Sequence, residues 1–125
     1  MSENAPLRVL VCGGRDYLNT EAVWRALNAL TRGRDVLIIH GAARGADSLA
    51  WGWGLIESKH RPLKFPAQWY VNGVLNRAAG VLRNAQMLRE GRPDLVVAFP
   101  GGRGTADMRV KAHTAGIPVW EPMRP

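Results

Sequence analysis

Cysteine occurs once in the 125 residues, which excludes an internal disulfide and a cysteine-rich metal site. Histidine is nearly as scarce. His60 and His113 have no partners at metal-ligand spacing, so neither a metal nor any other cofactor is expected. No apolar run approaches the roughly 20 residues needed to cross a bilayer. The opening Met-Ser-Glu-Asn-Ala-Pro lacks the basic, hydrophobic character of an export signal, and the expected compartment is cytoplasmic. Internal repeats, linkers and low-complexity segments are also missing. Residues 1–125 therefore read as one domain, with loose termini at 1–6 and 122–125.

Acidic residues are few. Ten Asp and Glu stand against 17 Lys and Arg, for a formal net charge of +7. Such an excess favours anionic partners, from nucleotides to nucleic acid. The basic residues are scattered, however, with no block of the kind that coats DNA. Arg15, Arg44 and Arg103 fall instead inside glycine-bearing turns, which points to a small phosphorylated ligand and leaves a nucleic-acid surface as the alternative.

What the chain has in plenty is glycine, 14 residues, in informative places. Phe99-Pro-Gly-Gly-Arg-Gly-Thr-Ala-Asp-Met108 follows the apolar run Leu95–Ala98. Cys12-Gly-Gly-Arg-Asp16 and His40-Gly-Ala-Ala-Arg-Gly-Ala-Asp47 follow two others. A strand that breaks into glycines and reopens as a helix lets backbone amides approach an anion at the positive end of the helix dipole. Three such turns at one kind of boundary indicate a nucleotide-type site.

The hydrophobic pattern supplies the frame. Leu7–Val11, Val36–Ile39, Leu63–Phe65, Leu95–Phe99 and Ile117–Trp120 read as strands, the last an edge strand because of Pro118. Helical spacing runs through Val23, Ala26, Leu27 and Leu30, and through Ala46, Leu49, Ala50, Trp53 and Ile56. It continues in a long stretch with Leu75, Ala78, Ala79, Leu82 and Leu88 inward, and in Met108, Ala112 and Ala115. Pro66–Trp69 reads as a loop. Strands alternating with helices predict a Rossmann-like, three-layer α/β/α domain with a mainly parallel sheet of about five strands. Its ligand belongs beyond the strands' carboxyl ends, at the switch in strand order.

Gly13-Gly-Arg-Asp16, Gly41-Ala-Ala-Arg-Gly-Ala-Asp47, Pro66-Ala-Gln-Trp69, Ala79-Gly-Val-Leu-Arg-Asn84 with Met87, and Phe99–Thr105 follow one another in order. Together they resemble the small YspA-type branch of the SLOG superfamily, related to LOG-like phosphoribohydrolases and to the Rossmann-like part of DNA-processing protein A. The resemblance implies binding of a nucleotide-derived ligand and, from LOG proteins, a homodimer. It also exposes a departure. LOG-type hydrolases carry a catalytic glutamate where this chain has Met108, and a thioether neither accepts a proton nor stabilises an oxocarbenium ion. Any hydrolysis would fall to Arg83 with Asp107 or Asp16, or with Asp47.

Pro100, Gly101, Gly102, Arg103, Gly104 and Thr105 are expected to cradle phosphate, with the Thr105 hydroxyl as helix cap and ligand donor. Gly13, Gly14, Arg15 and Asp16 form a second wall, where Asp16 either binds ribose or caps a turn. Gly41, Arg44, Gly45 and Asp47 form a third, Asp47 also being a candidate cap for the helix it opens. Arg83 and Asn84 contact phosphate or ribose, or else lie on an exposed helix face. Trp69 either stacks a base or fills the core. Trp24, Trp51 and Trp53 belong to core or interface. Cys12 reads as a small core residue and His40 as packed rather than catalytic.

Overall fold

The computed structural model describes residues 5–123. The loose ends expected at 1–4 and 124–125 lie outside these. Five strands form one parallel sheet: β1 (Leu7–Cys12), β2 (Val36–His40), β3 (Leu63–Lys64), β6 (Leu95–Ala98) and β7 (Val119–Trp120), in the order β3-β2-β1-β6-β7. β1 is central. It pairs with β2 through Leu7–Val36 to Leu10–Ile39, and with β6 through Val9–Leu95 to Cys12–Ala98. The chain builds outward to β3, then returns across β1 to lay down β6 and β7. The strand order therefore reverses between β1 and β6. No helix of the described residues is long and apolar enough to cross a membrane.

Alternation along the buried strands divides the core into two layers. Val9, Val11, Val36, Ile38 and Val97 face α1 (Thr20–Leu30) and α2 (Ala46–Glu57), meeting Val23, Leu27, Ala50 and Trp53. Leu10, Cys12, Ile39, Val96 and Ala98 face the other way, toward Met87, Met108 and Ala112, the last two on α4 (Arg103–Thr114). α1 opens where expected, with the Asn19 side chain accepting from the Ala22 N–H at 3.0 Å. Gly54 has a packing role in α2: a Cβ there would lie 2.8 Å from Pro62 and 3.2 Å from Ile38, so glycine lets the helix settle onto β2.

Three parts of the helical reading are corrected. Ile56 is 69% exposed, because Ala46, Ala50 and Trp53 set the buried stripe and Ile56 lies off it. Ala115 is exposed because α4 has already ended: Ala115 is its C-cap, and Gly116 turns left-handed at φ +75°. The largest departure lies before Ala79. Instead of a long helix, β4 (Tyr70–Val71) and β5 (Val74–Leu75) form an antiparallel hairpin, with all four residues exposed. Asn72 and Gly73, at φ +52° and +77°, make its two-residue turn, the pairing that suits hairpin twist. Helix α3 runs only from Ala79 to Gln86 and leaves Leu82 exposed. A widened π-type turn, Met87–Gly91, then tucks Met87 against the sheet.

Candidate ligand-binding site

The three glycine turns leave the carboxyl ends of β1, β2 and β6 and stack on one another through backbone. The Gly14 N–H donates to the Pro100 carbonyl at 2.8 Å, and the Gly14 carbonyl accepts from Tyr17 and Ala46 N–H groups. This close approach explains part of the glycine content. A Cβ on Gly45, where φ is +78°, would fall 2.1 Å from the Gly14 oxygen. One on Gly101 would fall 2.3 Å from Thr105 Oγ1 and 2.6 Å from the Gly14 nitrogen. Gly102 and Gly104 differ, since a Cβ on either meets nothing within 4 Å. No contact among the described residues accounts for them.

That open side faces a cleft of about 570 Å³, at the switch point between β1 and β6. Of the residues named from sequence, Gly13, Gly14, Arg15, Asp47, Trp69, Arg83, Asn84, Gly102, Arg103, Gly104 and Thr105 line it. Gly41 and Gly45 are buried outside the lining, and Pro100 and Gly101 are exposed on a separate, smaller cleft. Asp16 and Arg44 lie on the surface, 3.7 Å apart, with both side chains largely exposed. Asp107 also lies outside the lining, its oxygens taken by Asn84 Nδ2 at 3.0 Å and Lys111 Nζ at 2.5 Å. The sequence reading missed Arg77, Ala43, Gly80 and Val81. The Asn72-Gly73 pair was the available signal for the first: a hairpin ending at Leu75 delivers Arg77 to the rim.

The two expected caps are corrected. α4 begins at Arg103 with Gly102 as its N-cap and no side chain capping it, so Thr105 lies within the first turn. The residues at this end line the cleft, and no side chain caps their N–H groups. α2 likewise starts after Gly45, uncapped. Asp47 reaches back instead to accept from the Gly41 N–H at 2.8 Å, which clamps the turn before the helix.

Buried side chains hold the inner wall. Arg83 Nη1 donates to the Gly41 carbonyl and Arg83 Nε donates to Asn84 Oδ1. Asn84 Nδ2 donates in turn to the Gly104 carbonyl at 3.1 Å, tying α3 to the first turn of α4. Burial pushes the Asp47 carboxyl up to about 6, against the Gly41 N–H and the Arg83 charge, which draw it down. Burial lowers His40 to about 4, helped by Lys64 and Arg83. Its Nδ1 accepts from the Ala42 N–H at 3.1 Å, and the ring packs as a neutral group. Burial also raises the Cys12 thiol to about 12, leaving it an uncharged wall residue. Met108, at the position of the LOG-type glutamate, is fully buried in the lower core layer.

The lining thus carries four arginines, Arg15, Arg77, Arg83 and Arg103, against one carboxylate, Asp47. Trp69 forms part of the rim, 36% exposed, with the Arg15 guanidinium 5.1 Å from its ring centre.

The comparisons agree with this architecture. The crystal structure of UDP-N-acetylglucosamine 2-epimerase resembles the fold with a TM-score of 0.53 at 13% identity, over 93% of this chain and 31% of that one. The chain thus spans about a third of the epimerase, and the likeness is one of fold. The Gene 61 protein of Mycobacterium phage D29 is 41% identical over 120 residues, covering 90% of this chain and 93% of that protein. Residues 7–70 match the family described as YspA, cpYpsA-related SLOG family. This chain therefore belongs to the YspA-related branch of the SLOG superfamily.

Proposed function

We propose that the cleft binds a nucleotide or a nucleotide-derived, ADP-ribose-like ligand through its phosphates, and that the protein acts as a sensor or sequestering module. The observation that carries this reading is the pair Gly102 and Gly104. Both are bare of side chains, both face open cleft, and both lie at the uncapped start of α4. Four lining arginines supply the matching charge, and guanidinium forks suit phosphate oxygens. Denaturing the purified protein and identifying released small molecules by mass spectrometry tests the reading directly. Calorimetric titration with AMP and ADP-ribose tests it in purified components, and an absence of binding by any nucleotide refutes it.

Catalysis of the LOG type is not favoured. Met108 is core, Asp107 is held by Asn84 and Lys111, and Asp16 is paired with Arg44 on the surface. Asp47 alone brings a carboxylate to the cleft, and its Oδ2 is engaged by Gly41. A homodimer is part of the same proposal. Trp51, Leu55 and Ile56 are exposed on α2, beside Gly52, where a Cβ would meet nothing within 4 Å. Such a face can bring two helices close together.

A further inference from the structure

We infer that Arg15 and Trp69 form a ligand-operated latch: Arg15 rests on the indole until a phosphate draws it into the cleft, and the vacated ring face then receives the base. This inference rests on the nucleotide reading above and assigns the cleft a requirement for base and phosphate in one molecule.

Three observations carry it. First, the Arg15 guanidinium lies over the Trp69 ring at 5.1 Å, and no hydrogen bond or ion pair holds that side chain among the described residues. Arg83, by contrast, is fixed by the Gly41 carbonyl and Asn84. Second, Arg15 and Arg83 line the same cleft and their charges repel, so an anion between them would attract both guanidiniums. Asp47 feels Arg15 as well but lies beyond ion-pair distance. Third, Trp69 lies against α3. A Cβ on Gly80 would come 3.3 Å from the indole Cη2, so α3 lies close against the ring edge and a side chain there would press on it. The ring touches α3 and is covered by a cation that no ion pair retains among the described residues.

A phosphate without a base must break the cation–π contact and leave the ring uncovered. A base without a phosphate finds the ring occupied. A nucleotide satisfies both, because phosphate takes the guanidinium and the base takes its place, stacking being tolerant of base identity.

The test uses ribose 5-phosphate, adenosine and AMP as probes, titrated by calorimetry and ligand-observed NMR. Trp69→Leu frees Arg15 and should tighten ribose 5-phosphate by about 2- to 5-fold, the size of a partly exposed cation–π contact. The preference for AMP over ribose 5-phosphate should collapse by about 5- to 150-fold, the worth of one stacked base. Arg15→Gln uncovers the ring and should tighten adenosine by about 2- to 5-fold while weakening AMP. A passive platform predicts ribose 5-phosphate indifferent to Trp69→Leu and adenosine indifferent to Arg15→Gln. Either indifference, or weakening in either case, overturns the latch. Wild-type protein that binds neither AMP nor ribose 5-phosphate overturns the nucleotide reading itself, a distinct result.

Discussion

Neighbouring glycines of the turn before α4 should respond to substitution in opposite ways. Gly102→Val places its side chain where a Cβ meets nothing within 4 Å, in the space that a phosphate would fill. Exchanging a glycine N-cap for a β-branched residue costs at most about 1 kcal/mol, or about 4 °C in melting temperature for a chain of this length. Binding should suffer far more. Losing two charge-assisted hydrogen bonds at ~1.5 kcal/mol each removes about 3 kcal/mol, more than 100-fold in affinity. Gly101→Ala reverses the pattern, because its Cβ would overlap Thr105 Oγ1 and the Gly14 backbone nitrogen. Two turns would have to separate, costing about 1–3 kcal/mol and lowering the melting temperature by about 4–12 °C. Differential scanning fluorimetry and calorimetry with AMP read both quantities. A folded Gly102→Val protein with wild-type affinity would refute the phosphate site. An unshifted melting temperature in Gly101→Ala would refute the stacking of the turns.

Asp47 binds protons more tightly folded than unfolded, so its burial destabilises the protein as pH rises from about 4 to 6; His40, pushed down to about 4, loses stability as pH falls from about 6.5 through 4. Each effect is about 3 kcal/mol and they oppose, so Asp47→Asn should steepen acid destabilisation in urea melts, and a pH profile unchanged by it would contradict the assignment. Release of adenine from AMP should be slow or absent, since a missing oriented group costs about 3–4 kcal/mol in the transition state; rapid release would contradict this. Met108→Glu should not restore hydrolysis and should destabilise by several kcal/mol, because it buries a carboxylate among Leu10, Val96 and Ala112; an active, stable variant would refute the core placement. Light scattering should give a mass of two chains, falling to one in Trp51→Ser; a single-chain wild type, unchanged by nucleotide, would refute the dimer.

Much of the frame was legible because parallel strands buried on both faces leave unbroken runs such as Val36–Ile39, and each glycine turn marks a carboxyl end. The site was legible in the same way for residues adjacent to those turns. It failed where side-chain direction outweighed proximity in sequence. Asp16 sits one residue from Arg15 yet points to solvent and pairs with Arg44. Gly45 and Gly101 space neighbouring backbones, and Gly41 leaves room for the Arg83 and Asp47 side chains. The hairpin was lost to period confusion: Leu75, Ala79 and Leu82 mimic helical spacing, while Asn72-Gly73 was the stronger local cue. Asp47 was misjudged because capping is a local interaction, and its carboxylate turned back to Gly41 instead.

The hairpin of residues 70–75 hangs on the rim by its ends, with none of its four strand residues buried and the stacked turns lying elsewhere. On the proposed reading, the stacked turns would hold the anion and the hairpin would form a replaceable front. Segment 69–77 carries the indole and Arg77, while the sheet and the three turns hold together without it. Randomising or grafting that segment should change ligand affinity at little cost to the melting temperature. In evolutionary terms, one phosphate-gripping chassis could be fitted to new signals by exchanging nine residues between Trp69 and Arg77.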